Sequence, residues 1–145
     1  MKILSYIQPW ASLVAWEEKF VETRSWKTLH RGPIGIHASR KIDFKACEIP
    51  EIKAALLRHG ITNPRDLPTG VILATANLFD IAPMIEADNP HGCKIKGYKI
   101  SEKEYAFGFY SPGRFAWMLS SIKALDKPIP AKGKLMLWEY PYKGE

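Results

Sequence analysis

The chain reads as an α+β domain, a small and mostly antiparallel β-barrel of about five to seven strands with flanking helices. Three observations predict this. First, Val21–Trp26, Ile34–His37, Val71–Phe79, Phe115–Leu119 and Leu135–Trp138 alternate in the two-residue period of a strand. Second, two other stretches carry helical spacing. Third, the strand–helix–strand alternation of a parallel sheet is missing. A length of 145 residues and a hydrophobic content of 46% suit one domain, residues 1–145, with one core.

Leu4 to Ile7 begins as a short strand. Pro9 then suits the first turn of a helix, where its missing N–H costs nothing. Trp10, Leu13 and Val14 follow at i, i+3, i+4, so one face of that helix packs inward. Gly32-Pro33 turns the chain between the Val21 and Ile34 strands. Asp43 to His59 reads as a helix broken near Pro50, with Ile52, Ala55 and Leu56 as its apolar stripe and Gly60 as its stop. Asn63-Pro64 and Leu67-Pro68-Thr69-Gly70 are turns that lead into the run from Val71 to Ile81. Residues 86–104, polar and rich in Gly, Lys and His, read as a long surface loop. Tyr105–Tyr110, Phe115–Leu119 and Leu135–Tyr140 read as the remaining strands.

Charge and cysteines narrow the partners. Lys and Arg number 21 against 15 Asp and Glu, a formal charge of +6, and the pI is near 9.3. This favours an anionic partner such as nucleic acid or a nucleotide. Cys47 and Cys93 lack metal or redox spacing and make no disulfide scaffold, which fits idle thiols in a reducing cytoplasm. The first residues are too short and too polar to be a signal peptide, and no apolar run reaches membrane length. His91-Gly92-Cys93 resembles a metal pair, but zinc needs three or four ligands and neither His30 nor His59 completes the set. No metal and no cofactor is expected. The hydrolase elbow, the P-loop and the dinucleotide glycine motif are all missing.

The chemistry concentrates between Ile7 and Ser39. Glu22 and Arg24 lie two apart on a strand and share a face, so a carboxylate acceptor stands beside a fork of donors. Lys19, just before the strand, reaches the same mouth. Of the tryptophans, Trp10 or Trp26 is expected to touch ligand because both flank the charged strand; Trp117 and Trp138 are expected in the core. His37 sits on an apolar strand and reads as a hydrogen-bonded structural histidine.

Taken jointly, several short motifs resemble the ASCH family of PUA-like domains. Gln8-Pro9-Trp10 matches its Q-P-W element. Lys19, Glu22 and Arg24 fall on the K, E and R of its G-x-K-x-x-E-x-R pattern, although Glu17 stands where the family has glycine. Arg24, Trp26 and Thr28 match R-x-W-x-T, Arg31-Gly32-Pro33 matches R-G-P, and Ile36-His37-Ala38-Ser39 matches I-H-A-S. Gly113–Trp117 and Gly133–Trp138 resemble its closing strands.

The resemblance implies a PUA-like barrel whose basic, aromatic-lined cleft accepts single-stranded RNA or a modified nucleoside. Gln8, Trp10, Lys19, Glu22, Arg24, Trp26 and Ser39 are the expected ligand residues, converging on one concave surface. It also implies two alternatives. One is an enzyme in the same cleft, with Lys19 and Glu22 as catalytic residues, since some relatives are ribonucleases and others remove an acetyl group from acetylcytidine. In that amidohydrolase branch a Lys, a Thr and a Glu act; Glu22 stands in the threonine's place, and no second carboxylate is located. The other alternative is a protein-interaction adaptor in transcription or translation.

Overall fold

The computed structural model describes residues 1–141. Strand β1 (Lys2–Gln8) leads into helix α1 (Trp10–Ala15), then β2 (Val21–Arg24) and β3 (Gly32–Ile42). A single 3-10 turn at Ala46–Glu48 precedes α2 (Pro50–Arg58), and another at Pro64–Asp66 precedes β4 (Val71–Glu86). The chain finishes with β5 (Cys93–Ile95), α3 (Glu102–Ala106), β6 (Phe115–Pro130) and β7 (Leu137–Glu139).

The strands form one ladder in the order β2-β6-β4-β3-β1-β7, with β5 added on β4. Every pairing is antiparallel except β1 with β3. Among the described residues no pairing joins β2 to β7, so the expected closed barrel is instead an open sheet. Register shifts in the β1–β3 and β3–β4 ladders, and three along β4–β6, add local twist and bend. The sheet can therefore enclose Tyr6, Ile34, Ile36, Leu78 and Trp117 in one cluster without closing on itself. A second cluster joins Leu13 of α1 to Ile52 and Leu56 of α2 and to Phe107.

The broken helix takes the form expected: Pro50 opens α2, the stripe Ile52, Ala55 and Leu56 is buried, and Gly60 follows at φ +79°. Two readings are corrected. Residues 86–104 hold β5 and the start of α3, with Cys93, Ile95 and Glu104 buried, because this segment covers a third apolar cluster beside Met84 and Val21. Tyr105–Tyr110 is not a strand. Ser101 caps α3 by accepting from the Glu104 N–H, and that cap outweighs the aromatic alternation.

Helix α1 ends unusually. Its closing turn is a Schellman motif: the Glu18 N–H reaches the Leu13 carbonyl at 2.9 Å and the Glu17 N–H the Val14 carbonyl at 2.9 Å. Glu17 takes the left-handed conformation at φ +59°, in the place where the family pattern has glycine. The turn is kept despite the missing glycine, and it delivers Lys19 to the interior.

Candidate functional site

Two adjoining clefts open on one side of the sheet. The larger, about 880 Å³, lies between β1, the end of β3 and the loop joining β6 to β7. Arg24, Arg40, Lys132 and Lys134 line it, and among the described residues no carboxylate does. The smaller, about 270 Å³, is walled by Trp10, Phe107 and Phe109 and carries Glu22, Thr23 and Arg114. Ser5, Ile7 and Arg24 belong to both.

Arg24 divides the two. Its Nε and Nη2 donate to Glu22 Oε2 at 3.0 and 2.8 Å, and Nη2 also donates to the Ser5 carbonyl at 2.8 Å. The second carboxylate oxygen of Glu22 accepts the Thr23 N–H at 3.1 Å. Both side chains are therefore fixed by charge-assisted hydrogen bonds rather than free on a solvated face. Arg24 Nη1 makes no hydrogen bond among the described residues and remains available to an anion. The guanidinium also lies over the Tyr6 ring, 5.4 Å from its centroid.

The expected ligand residues divide among three places. Trp10 and Glu22 line the small cleft, Ser39 the large one, and Arg24 both. Trp26 lines neither; it packs edge-on against Trp117 at 4.8 Å and its carbonyl accepts the Trp117 indole N–H. Gln8 lines neither as well. Its amide is used up inside: Nε2 donates to Ser12 Oγ at 2.7 Å and the Pro68 carbonyl at 2.8 Å, while Oε1 accepts the Ser12 N–H. Trp117 and Trp138 are buried.

Lys19 is fully enclosed, behind Gly108, where a Cβ would stand 3.4 Å from its Nζ. Its partner is Glu104 of α3, with Nζ 3.8 Å from Oε2. Burial lowers the lysine's pKa from its ordinary value, and the charges of Glu104 and Glu22 oppose that. Burial likewise raises the Glu104 carboxyl, opposed by Lys19 and by the backbone N–H groups of Phe20 and Val21. Among the described residues four buried polar atoms lack a hydrogen-bond partner: Tyr6 Oη, Lys19 Nζ, Glu104 Oε2 and Tyr110 Oη. Glu104 is a carboxylate beside Lys19 that sequence reasoning did not single out.

The floor of the large cleft holds Ser5 and His37, both of which sequence reasoning left outside the ligand set. Gly133 covers them closely: a Cβ there would lie 2.8 Å from His37 Cε1 and 3.0 Å from Ser5 Oγ. The Lys132-Gly133-Lys134 triplet was the available signal, two cations around a residue without a side chain. Among the described residues no three His, Cys, Asp or Glu side chains gather as a metal site. His91 instead pairs with Glu102 at 2.6 Å and stacks on Tyr105.

Comparison with known proteins bears on this constellation. The ASCH domain family matches residues 4–129, most of the described sheet. The chain belongs to the ASCH domain family. Over 144 residues, 94% of this chain, it is 42% identical to human Activating signal cointegrator 1 and 30% identical to the mouse protein of that name. It spans 22% of the length of each, so the similarity concerns one region of longer proteins. No helix among the described residues is long and apolar enough to cross a membrane.

Proposed function

We propose that this ASCH domain binds single-stranded RNA or a modified nucleoside, with phosphate in the large cleft and a base in the small one. The observation that carries the reading is the large cleft's lining of Arg24, Arg40, Lys132 and Lys134 with no carboxylate among the described residues. Lysine and arginine that contact phosphates release the counterions condensed there, and a lining with three cations beyond the Glu22-paired Arg24 favours that ligand over a neutral one. The small cleft adds aromatic walls, on which a base gains about 1–3 kcal/mol by stacking. Its Glu22 accepts from an exocyclic amine. Family membership supports the same reading. Both cysteines are free and buried, which suits a reducing, cytoplasmic setting.

The test is fluorescence anisotropy of a labelled single-stranded RNA oligomer, with thermal-shift screening of nucleosides beside it. The wild-type chain binds the oligomer; Arg40→Ala/Lys132→Ala/Lys134→Ala binds it weakly while melting normally. Equal binding by both chains overturns the reading.

A second reading, an enzyme in the same region, is favoured by the enclosed Lys19–Glu104 pair. A lysine whose pKa burial lowers serves more readily as base or nucleophile, and a nearby carboxyl can carry the proton. Chromatography of acetylcytidine after incubation, compared with Lys19→Ala, tests it. Unchanged acetylcytidine with intact RNA leaves binding alone.

A further inference from the structure

Ser5 of β1 and His37 of β3 are register partners in the parallel ladder, and their side chains meet. Ser5 Oγ lies 2.9 Å from His37 Nδ1, and His37 Nε2 lies 2.7 Å from the Ala131 carbonyl. A carbonyl can only accept, so the proton sits on Nε2 and Nδ1 presents a lone pair. The Ser5 hydroxyl therefore donates to Nδ1. A third contact completes the arrangement: the Trp138 indole N–H donates to the same Oγ at 3.0 Å. A histidine that only tied β3 to the β6–β7 loop would need the Ala131 contact alone. Here its other nitrogen holds a hydroxyl that is half-buried and lines both clefts.

The surroundings suit developing negative charge. Arg24 is anchored on Ser5's own carbonyl, its Nη1 makes no hydrogen bond among the described residues, and Lys132 and Lys134 line the same cleft. Burial lowers the His37 pKa below the ordinary imidazole value, opposed by the Ala131 hydrogen bond, so the ring is a neutral base at pH 7.

We propose that Ser5 and His37 form an acyl-transfer centre, acting on carboxylic esters that carry an anionic group held by Arg24, Lys132 and Lys134. Ser5 Oγ bonds to the ester carbon as its proton passes to His37 Nδ1 and the carbonyl's π pair moves onto the carbonyl oxygen, while the indole N–H of Trp138 holds Oγ in place. The imidazolium keeps its Nε2–H on the Ala131 carbonyl. It gives the new proton to the alcohol oxygen as the carbon–oxygen bond breaks, leaving an acyl-serine. Water, deprotonated by Nδ1, then attacks that acyl group, and the imidazolium returns the proton to Oγ as the acyl–Oγ bond breaks, restoring Ser5 and the neutral ring. The net change is ester plus water to acid plus alcohol, with no redox partner.

The experiment treats the whole chain with a fluorophosphonate and measures intact mass. One adduct is expected, its Oγ–phosphorus bond formed as fluoride leaves, mapped to Ser5. It is missing in Ser5→Ala, which deletes one hydroxyl and is checked for an unchanged melting curve. The labelling rate rises with pH through the imidazole titration. Hydrolysis of 4-nitrophenyl succinate exceeds that of 4-nitrophenyl acetate by at least about tenfold, and Lys132→Ala/Lys134→Ala narrows the ratio. A folded chain that takes no adduct, equal labelling of Ser5→Ala, or a pH-independent rate overturns the centre. Equal rates on the two esters overturn the substrate class. Neither result depends on whether RNA binds.

Discussion

Lys19 Nζ lies 3.8 Å from Glu104 Oε2 across 85 residues of sequence, and neither atom has a hydrogen-bond partner among the described residues. A buried pair of this kind is costly to break from one side, because the remaining charge is left in a medium that cannot solvate it. Lys19→Met is expected to lose about 3 kcal/mol of unfolding free energy. Adding Glu104→Gln, whose amide oxygen still accepts the Phe20 N–H, should return most of that loss. Urea unfolding of the two single variants and the double closes the cycle. Additive losses would show that the pair does not act as one.

A second ionic hub lies nearby. Glu18 accepts from Arg58, His59 and Lys103, and these contacts tie the α1–β2 turn to α2 and α3. The hydrogen bond from Arg58, with Lys103 and His59 adding to it, holds the Glu18 carboxyl at about 2. A depressed carboxylate stabilises the fold fully above its unfolded value of 4.5, and that contribution disappears as pH falls towards 2. Solvent reaches Arg58 and Lys103, so the loss at the acid end is about 1 kcal/mol. Melting temperature followed from pH 6 to pH 2 should fall less steeply for Glu18→Gln than for the wild type.

Glu17 offers a gain. A non-glycine residue in the left-handed region costs about 1–2 kcal/mol, and glycine avoids this at some entropic cost in the unfolded chain. Its side chain is exposed, so little packing is lost. Glu17→Gly is expected to add about 0.5–1 kcal/mol, or about 2–4 °C in melting temperature by calorimetry. An unchanged or lower value would mean that the side chain does something the turn geometry does not reveal.

RNA binding should weaken as salt rises. Arg40→Ala/Lys132→Ala/Lys134→Ala removes three cations from the large cleft, and the slope of log affinity against log salt should shrink by about 2. Anisotropy titrations at several ionic strengths measure it directly. A slope indifferent to the substitutions would place the phosphate contacts elsewhere.

Gly133 is the strictest position of the cleft wall. Alanine there puts a methyl 2.8 Å from His37 Cε1, and the β6–β7 loop must move to accept it. Gly133→Ala should cost about 1–3 kcal/mol and weaken the Ala131–His37 contact, visible as a shift of the His37 ring protons in NMR spectra.

What the sequence made legible follows the range of each signal. Period-two alternation around Val21 and Ile34 announced β2 and β3, and Pro50 with Ile52, Ala55 and Leu56 announced α2. Glu22 beside Arg24 could be read because two residues on one strand share a face. The failures had longer reach. Beyond Leu119, β6 is largely exposed and polar, so nothing in Ser120–Pro130 announces the antiparallel ribbon it forms with β4. Gln8 was expected to touch ligand, yet Ser12 and Pro68, a turn residue 60 positions on, consume its amide. Glu104 could not be matched to Lys19 without the fold. The Ser101–Glu104 spacing of a capping box was, by contrast, present in the sequence, and reading it would have replaced the expected loop and strand with α3.

The position of β1 between β3 and β7 sets an order of assembly. Ser5 and His37 lie within one early stretch of chain and can pair as soon as β3 has formed. Trp138 joins Ser5 only across 133 residues, and the Lys132–Lys134 rim stands just ahead of it. Contacts this distant are slow to close and come late during synthesis. A nascent chain can thus hold the hydroxyl and the imidazole together well before it has an indole to steady them or a cationic rim to draw an anion in. The last strand to dock also completes the cleft, so a chain stalled short of β7 presents an unfinished sheet edge and no finished pocket.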